Sequence, residues 1–278
     1  MKDGTSGHKL PPRMHRRRRD RRFRLKLDLR KALFVLPNLF TVSSIFCGFY
    51  AMVLVSGDPG PGELYRATLA VFFGAFFDGA DGRVARLTRT QSEFGMQMDS
   101  LADVITFGVA PAVVVHKWGL HQLNIVGTLA AFLYVACGAI RLARFNVMAA
   151  RGSGSTRFFV GLPIPLAAGV LMSLVMFHQR TYGRPAQHTQ PILALTLVVA
   201  YLMVSNVRYR TFKNVRVGRK SLTLAALFVL VFVVLAIRVR PAFALLICAC
   251  SYVGLGLVEE VIFFRRRRHE ERVPVSRS

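Results

Sequence analysis

Asp78, Asp81, Asp99 and Asp103 are the residues of this chain best suited to chemistry. The first two are three apart and the last two are four apart, so each pair shares one face of a helix. Four carboxylates brought side by side cannot all stay ionised without cations. Oxygen-only ligands suit hard ions, so Mg²⁺ or Mn²⁺ is the natural tenant, and Ca²⁺ accepts the same ligands. No histidine lies between Phe76 and Gly108, which argues against zinc. The residues between the pairs suit phosphate. Gly82 lets backbone approach a ligand closely. Arg86 can fork onto phosphate oxygens, and Thr90 and Ser92 add hydroxyls. Together they describe a diphosphate site, and the matching chemistry is phosphoryl transfer with metals clamping the attacking and leaving oxygens. A plainer account pairs the aspartates with Arg83, Arg86 and Arg89. It neutralises part of the charge but leaves the two ordered pairs unexplained.

These carboxylates sit in a chain that otherwise reads as membrane-embedded. Of its 278 residues, 53% are hydrophobic, and they come in long runs. A bilayer core needs roughly 20 helical residues to cross. Eight runs approach that length: 33–55, 64–82, 97–116, 123–145, 162–179, 190–207, 221–238 and 242–264. A soluble helical core is the alternative, but Ser221–Ile237, "SLTLAALFVLVFVVLAI", is apolar on every helical face. The expected fold is therefore an all-α polytopic membrane protein with about eight transmembrane helices. Residues 1–31 form a basic cytosolic segment, 32–264 the membrane domain and 265–278 a basic cytosolic tail.

Charge gives the orientation. With the N-terminus in the cytosol, cytosolic segments hold 32 of the 38 Lys and Arg residues and the opposite side holds six. That asymmetry places both termini on the cytosolic side of the membrane. The net charge of +24 raises a nucleic-acid partner, but the basic residues flank apolar runs, where they meet anionic lipid instead. A cleaved targeting peptide fits the head poorly, because the apolar run after it is of full spanning length. Cys47, Cys137, Cys248 and Cys250 all lie in apolar runs without metal-site spacing, so they act as small hydrophobes.

Depth brings the aspartates together. The second span enters from outside, and Asp78 lies 14 residues beyond Leu64, roughly 21 Å along a helix. The third span starts near Gly95 on the same cytosolic side. Two antiparallel helices joined by a short turn then place both pairs at one surface.

The spaced set Asp78, Asp81, Gly82, Ala85, Arg86, Gly95, Asp99 and Asp103 resembles the signature of the CDP-alcohol phosphatidyltransferase family. "LPNLFT", "SEFGMQMDSLADVITFGVAPA", "AIRLARFN", "FVGLPIPLAAG" and "VSNVRYRTFK" are similar to one branch, the integral-membrane phosphatidylserine synthases. The resemblance implies CDP-diacylglycerol as donor, L-serine as acceptor, and phosphatidylserine and CMP as products of phospholipid biosynthesis. It implies two divalent ions on Asp78, Asp81 and Asp99 with a share from Asp103, and it makes Asp103 the base that takes the serine hydroxyl proton. It places Asn38, Thr41, Gly82, Arg86 and Ser92 against the CDP-diacylglycerol, and it implies a homodimer. Ser44 departs from the Asn common at that position, which puts only a contact there in doubt. For the serine carboxylate, Arg144, Arg141 and Arg208 end spans in the plane of the cluster and can fork onto it; each also serves simply as a positive-inside charge. Asn146 and Asn206 are weaker candidates. "GLPIP", from Gly161 to Pro165, reads as a kink at the entrance of the fifth span.

Two other functions compete with this one. A sibling enzyme would use glycerol 3-phosphate or inositol phosphate as acceptor, or make an archaeal-type lipid analogue. A cation transporter would need polar groups through the midplane, whereas here they gather at one surface.

Overall fold

The computed structural model describes residues 38–88, 92–150, 158–183, 186–205 and 208–210. Helix α1 runs Asn38–Leu54 and α2 Pro61–Thr88; α3, Glu93–Asp103, passes into a π-helical segment, Val104–Val109, and then into α4, Ala110–Trp118. A 3₁₀ turn, Leu120–Leu123, leads to α5, Asn124–Ala150. Strand β1, Phe158–Val160, precedes α6, Ile164–Tyr182, and α7, Thr189–Val204, precedes β2, Arg208–Arg210.

The helices form one bundle in which α2 packs on α6 and α5 on α7, while the π segment touches α2, α4, α5 and α6. Phe107, Tyr134, Leu162, Ile164, Leu171 and Met172 are fully buried at its centre. Exposed positions on the helices are equally apolar, among them Phe46, Phe76, Ile125, Phe132 and Tyr201. Apolar residues on both the inner and the outer surface suit a bundle solvated by lipid. Among the described residues, two stretches are long and apolar enough to cross a bilayer: Glu93–Trp118, with mean hydropathy 1.6, and Leu120–Ala150, with 1.9. Helices α1 and α7 are shorter apolar helices. The runs at 221–238 and 242–264, both basic tails, Cys248 and Cys250 lie outside the described residues. Cys47 and Cys137 are half-buried and unbridged.

Four features depart from the sequence expectation. Helix α2 continues to Thr88, past the end of the expected span, so Asp78 and Asp81 lie within a helix rather than at its end. A two-stranded antiparallel ladder, with Phe159 opposite Tyr209, interrupts the all-helical pattern. Its cause is local. Leu162 N–H donates to Leu202 O at 3.0 Å, which sets the approach to α6 beside the end of α7, and the flanking extended segments pair their backbone groups. "GLPIP" starts α6 rather than kinking it. Gly161 takes φ +82° where any Cβ would run into the Met203 carbonyl, and Pro163 is the N-cap.

The fourth departure lies beside the aspartates. The third span was expected as one continuous helix over 97–116, yet its middle widens to π geometry, with Ala110 N–H bonded to Ile105 O five residues back. Pro111 explains it. A proline in a helix lacks the N–H for the carbonyl four residues earlier and its ring crowds that carbonyl. Here that carbonyl belongs to Phe107.

Candidate active site

Helix α2 presents Asp78 and Asp81, and the antiparallel α3 presents Asp99 and Asp103. One carboxylate oxygen from each of Asp78, Asp81 and Asp99 lies within 4.8 Å of the others. Asp103 stands beside them, its side chain in interaction with that of Asp78. The trio offers three hard oxygen donors converging on one point, with Asp81 only 5% exposed. Among the described residues the ion pair found is Arg66 with Glu63, at the far end of α2. No described lysine or arginine closes on the four aspartates to neutralise them as a salt bridge; Arg83 is exposed. Oxyanions this close, without a basic partner in contact, fit a divalent cation of the Mg²⁺ or Mn²⁺ type.

Each element has a local reason to hold its carboxylates where they are. Ser92 caps α3, its Oγ accepting the Gly95 N–H at 3.0 Å, which fixes where that helix begins. Thr41 on α1 donates its hydroxyl to Asp81 Oδ2 at 2.8 Å. Ser44, one turn on, donates to Gly74 O at 3.1 Å, and Thr106 of the π segment donates to Ser44 O at 2.9 Å. Gly48 and Gly74 leave the space that Thr106 fills: a Cβ on Gly48 would sit 2.8 Å from Thr106 Cα. Three segments therefore meet at backbone distance a turn away from the cluster.

Four of the expected phosphate contacts, Gly82, Asn38, Thr41 and Ser92, fall within the described residues. Gly82 is exposed, and a Cβ there would meet nothing within 4 Å, so open space lies against the backbone beside Asp81. Asn38 faces the start of α3, its Oδ1 3.9 Å from where a Gly95 Cβ would stand. Thr41 is committed to Asp81, and Ser92 uses its oxygen as the cap while keeping a hydroxyl proton to give. The Arg86 side chain, Thr90 and Arg89 lie outside the described residues.

Of the arginines proposed for an acceptor carboxylate, Arg141 interacts with the cluster through Asp103. It is 8% exposed, lies in electrostatic reach of Asp103, and its Nε has no hydrogen-bond partner. Its guanidinium carbon lies 5.9 Å from the Phe145 ring centroid. Arg144 reaches to Val204 O at 3.4 Å on the exposed side of α5. The side chain of Arg208 and all of Asn206 lie outside the described residues. Asn146 donates to Ser100 Oγ at 2.9 Å, tying α5 to α3 next to Asp99. Asp103 Oδ1 is likewise buried without a partner. Asp103 and Arg141, in electrostatic reach of each other, thus each keep one buried polar atom unbonded.

Sequence reasoning passed over Gly48, Gly74, Thr106 and Tyr134 as parts of the site and weighed Ser44 only as a departure from the Asn common at that position. Tyr134 lies in α5, fully buried, and its hydroxyl donates to Phe107 O at 2.9 Å. The one signal for that group was Pro111 inside an apolar run.

A family model for CDP-alcohol phosphatidyltransferase matches residues 34–203. A CDP-diacylglycerol–serine O-phosphatidyltransferase of Helicobacter pylori is 37% identical over 227 residues, covering 81% of this chain and 91% of that protein. The protein of the same name from Bacillus subtilis is 33% identical, covering 64% of this chain and 92% of its own length. An archaetidylserine synthase of Methanothermobacter thermautotrophicus is 34% identical over 63% of this chain and 69% of that protein.

Proposed function

The chain belongs to the CDP-alcohol phosphatidyltransferase family, and on that basis we propose that it transfers the phosphatidyl group of CDP-diacylglycerol to L-serine, giving phosphatidylserine and CMP. The observation that carries this reading is the convergence of Asp78, Asp81 and Asp99 beside Asp103 and the open backbone of Gly82. Serine as acceptor is supported by the names of the relatives from H. pylori, B. subtilis and M. thermautotrophicus, all of which end on serine chemistry.

In the proposed reaction the serine Oγ attacks the phosphorus that bears diacylglycerol. The new bond is Oγ–P, and the bond broken joins that phosphorus to the oxygen that leaves with CMP. Asp103 takes the hydroxyl proton, as a carboxylate held within hydrogen-bond reach can. Asp78, Asp81 and Asp99, with a share from Asp103, would hold one or two divalent ions. When bound, Mg²⁺ or Mn²⁺ neutralises the diphosphate and the charge that gathers on the departing CMP. Thr41 orients the Asp81 carboxylate. Gly82 lets the diphosphate lie against the α2 backbone, and Arg86, Asn38 and Ser92 complete its cradle. Arg141 receives the serine carboxylate, so that the amino acid lies between it and Asp103, while Arg144 and Arg208 draw the anion in. The catalytic gain is mainly positioning and fixed electrostatics.

The same proposal keeps about eight membrane-crossing helices, the domain limits 1–31, 32–264 and 265–278, both termini and the site on the cytosolic side of the plasma membrane, and a homodimer in contact with anionic lipid. A site at that boundary is where a lipid-anchored donor and a soluble amino acid can both arrive.

The test is to incubate the detergent-purified protein with CDP-diacylglycerol, Mn²⁺ or Mg²⁺, and serine, glycerol 3-phosphate or inositol phosphate in parallel, and to measure CMP. CMP with serine is expected. No CMP with any acceptor rejects the enzyme, and CMP with glycerol 3-phosphate alone rejects serine.

A further inference from the structure

The geometry points to Tyr134 as a positioning residue for the carboxylate cluster, acting through the π segment that Pro111 creates; the inference rests on the cluster being the metal site proposed above. Pro111 cannot donate to Phe107 O, so the carbonyl of a residue that is 1% exposed loses its ordinary partner. Tyr134, itself 0% exposed, supplies the replacement through its hydroxyl at 2.9 Å. A phenol in an apolar interior needs a partner, and a buried carbonyl needs a donor. Each meets the other's need, and a phenylalanine would pack in the same volume without doing so.

What this bond holds is a rotation. Residues on a helix advance by about 100° each, so adding one residue to a turn swings everything before it by that much relative to everything after it. The π segment lies directly between Asp103 and α4. A return to α geometry would turn Asp99 and Asp103 away from Asp78 and Asp81. The segment is also seated laterally: Thr106 fills the notch at Gly48 and Gly74 and donates to Ser44 O. Gly74 is one turn before Asp78 on α2, and Thr106 is three residues after Asp103, so this contact sets the distance between the two carboxylate pairs. Helix α5 grips the strip at both ends. Tyr134 holds Phe107, and Arg141, two turns further on the same face, lies in electrostatic reach of Asp103.

Tyr134→Phe removes only the hydroxyl. Mn²⁺ binding by the full-length protein in detergent, followed by electron paramagnetic resonance without substrate, reads the cluster directly, and thermal unfolding is followed in parallel. The expected dissociation constant rises roughly 5- to 100-fold, the range set by a buried carbonyl that loses its donor. Tyr134→Phe combined with Pro111→Ala is the second variant. It returns a backbone N–H to Phe107 and so protects folding, but it does so in α register, so Mn²⁺ binding stays weakened. Wild-type Mn²⁺ affinity in either folded variant overturns the inference, as does absence of Mn²⁺ binding by the wild-type protein. If the wild type binds Mn²⁺ but yields no CMP, the positioning role stands on the variants and the proposed reaction fails by itself.

Discussion

Thr41 Oγ1 lies 2.8 Å from Asp81 Oδ2 and donates to it from another helix. The bond fixes one carboxylate oxygen of a residue that is only 5% exposed and that stands in the trio with Asp78 and Asp99. It also makes α1, which carries no acidic residue, part of the proposed cation site.

Thr41→Val keeps the shape and removes the donor. Loss of a group that orients a metal-binding carboxylate typically weakens metal affinity by about 10- to 100-fold. The Mn²⁺ concentration for half-maximal CMP release should rise by that order, and Thr41→Ser should restore it. An unchanged metal requirement in Thr41→Val would remove the hydroxyl from the site's machinery.

Asp103→Asn should abolish turnover while CDP-diacylglycerol binding largely survives. Loss of a positioned base costs about 10²- to 10⁴-fold in rate. The check is kcat for CMP release beside equilibrium binding of the liponucleotide. Equal loss of both would make Asp103 chiefly a metal ligand.

At Gly82 the backbone faces open space. Gly82→Ala should therefore leave the unfolding temperature unchanged while the KM for CDP-diacylglycerol rises by about tenfold, equivalent to about 1.4 kcal/mol. Gly82→Leu should raise it further. A wild-type KM in both would place the diphosphate elsewhere.

Arg141 and Arg144 are one turn apart on α5 but differ in surroundings. Arg141→Lys replaces a planar fork by a point charge at a buried position. It should raise the KM for serine by about tenfold or more, with the KM for CDP-diacylglycerol unchanged, since a buried charge-assisted hydrogen bond is worth roughly 1.5–3 kcal/mol. Arg144→Lys, at a half-buried position not shown to face the cluster, should change it by less than about threefold. The reverse order would transfer the carboxylate to Arg144.

The four aspartates were legible in the sequence because carboxylates stand out in apolar runs and because their spacing of three and four selects a helix face. The antiparallel pairing of α2 and α3 followed from the short connection between them. The π segment and its partners were not legible in the same way. Thr106, Tyr134, Gly48 and Gly74 are ordinary residues for a membrane helix, and their importance lies in who approaches them, which no spacing within a single helix encodes. Pro111 carried a local signal, but a proline in an apolar helix announces a disturbance without saying which way the chain will relieve it. The β1–β2 ladder was hidden for a related reason: three-residue strands have no period long enough to recognise.

The notch at Gly48 and Gly74 gives the protein a weakness at positions that carry no charge of their own. Each position has room for a hydrogen atom and no more, because Thr106 occupies the rest. A change of either to alanine adds one carbon, alters no charge and would pass for conservative. Yet the carbon must push Thr106 outward, and Asp99 and Asp103 travel with it away from their counterparts on α2. A silent-looking substitution among lipid-facing helices would thus arrive at the bench as a defect in cation affinity, and a search confined to polar residues would never trace it to its source.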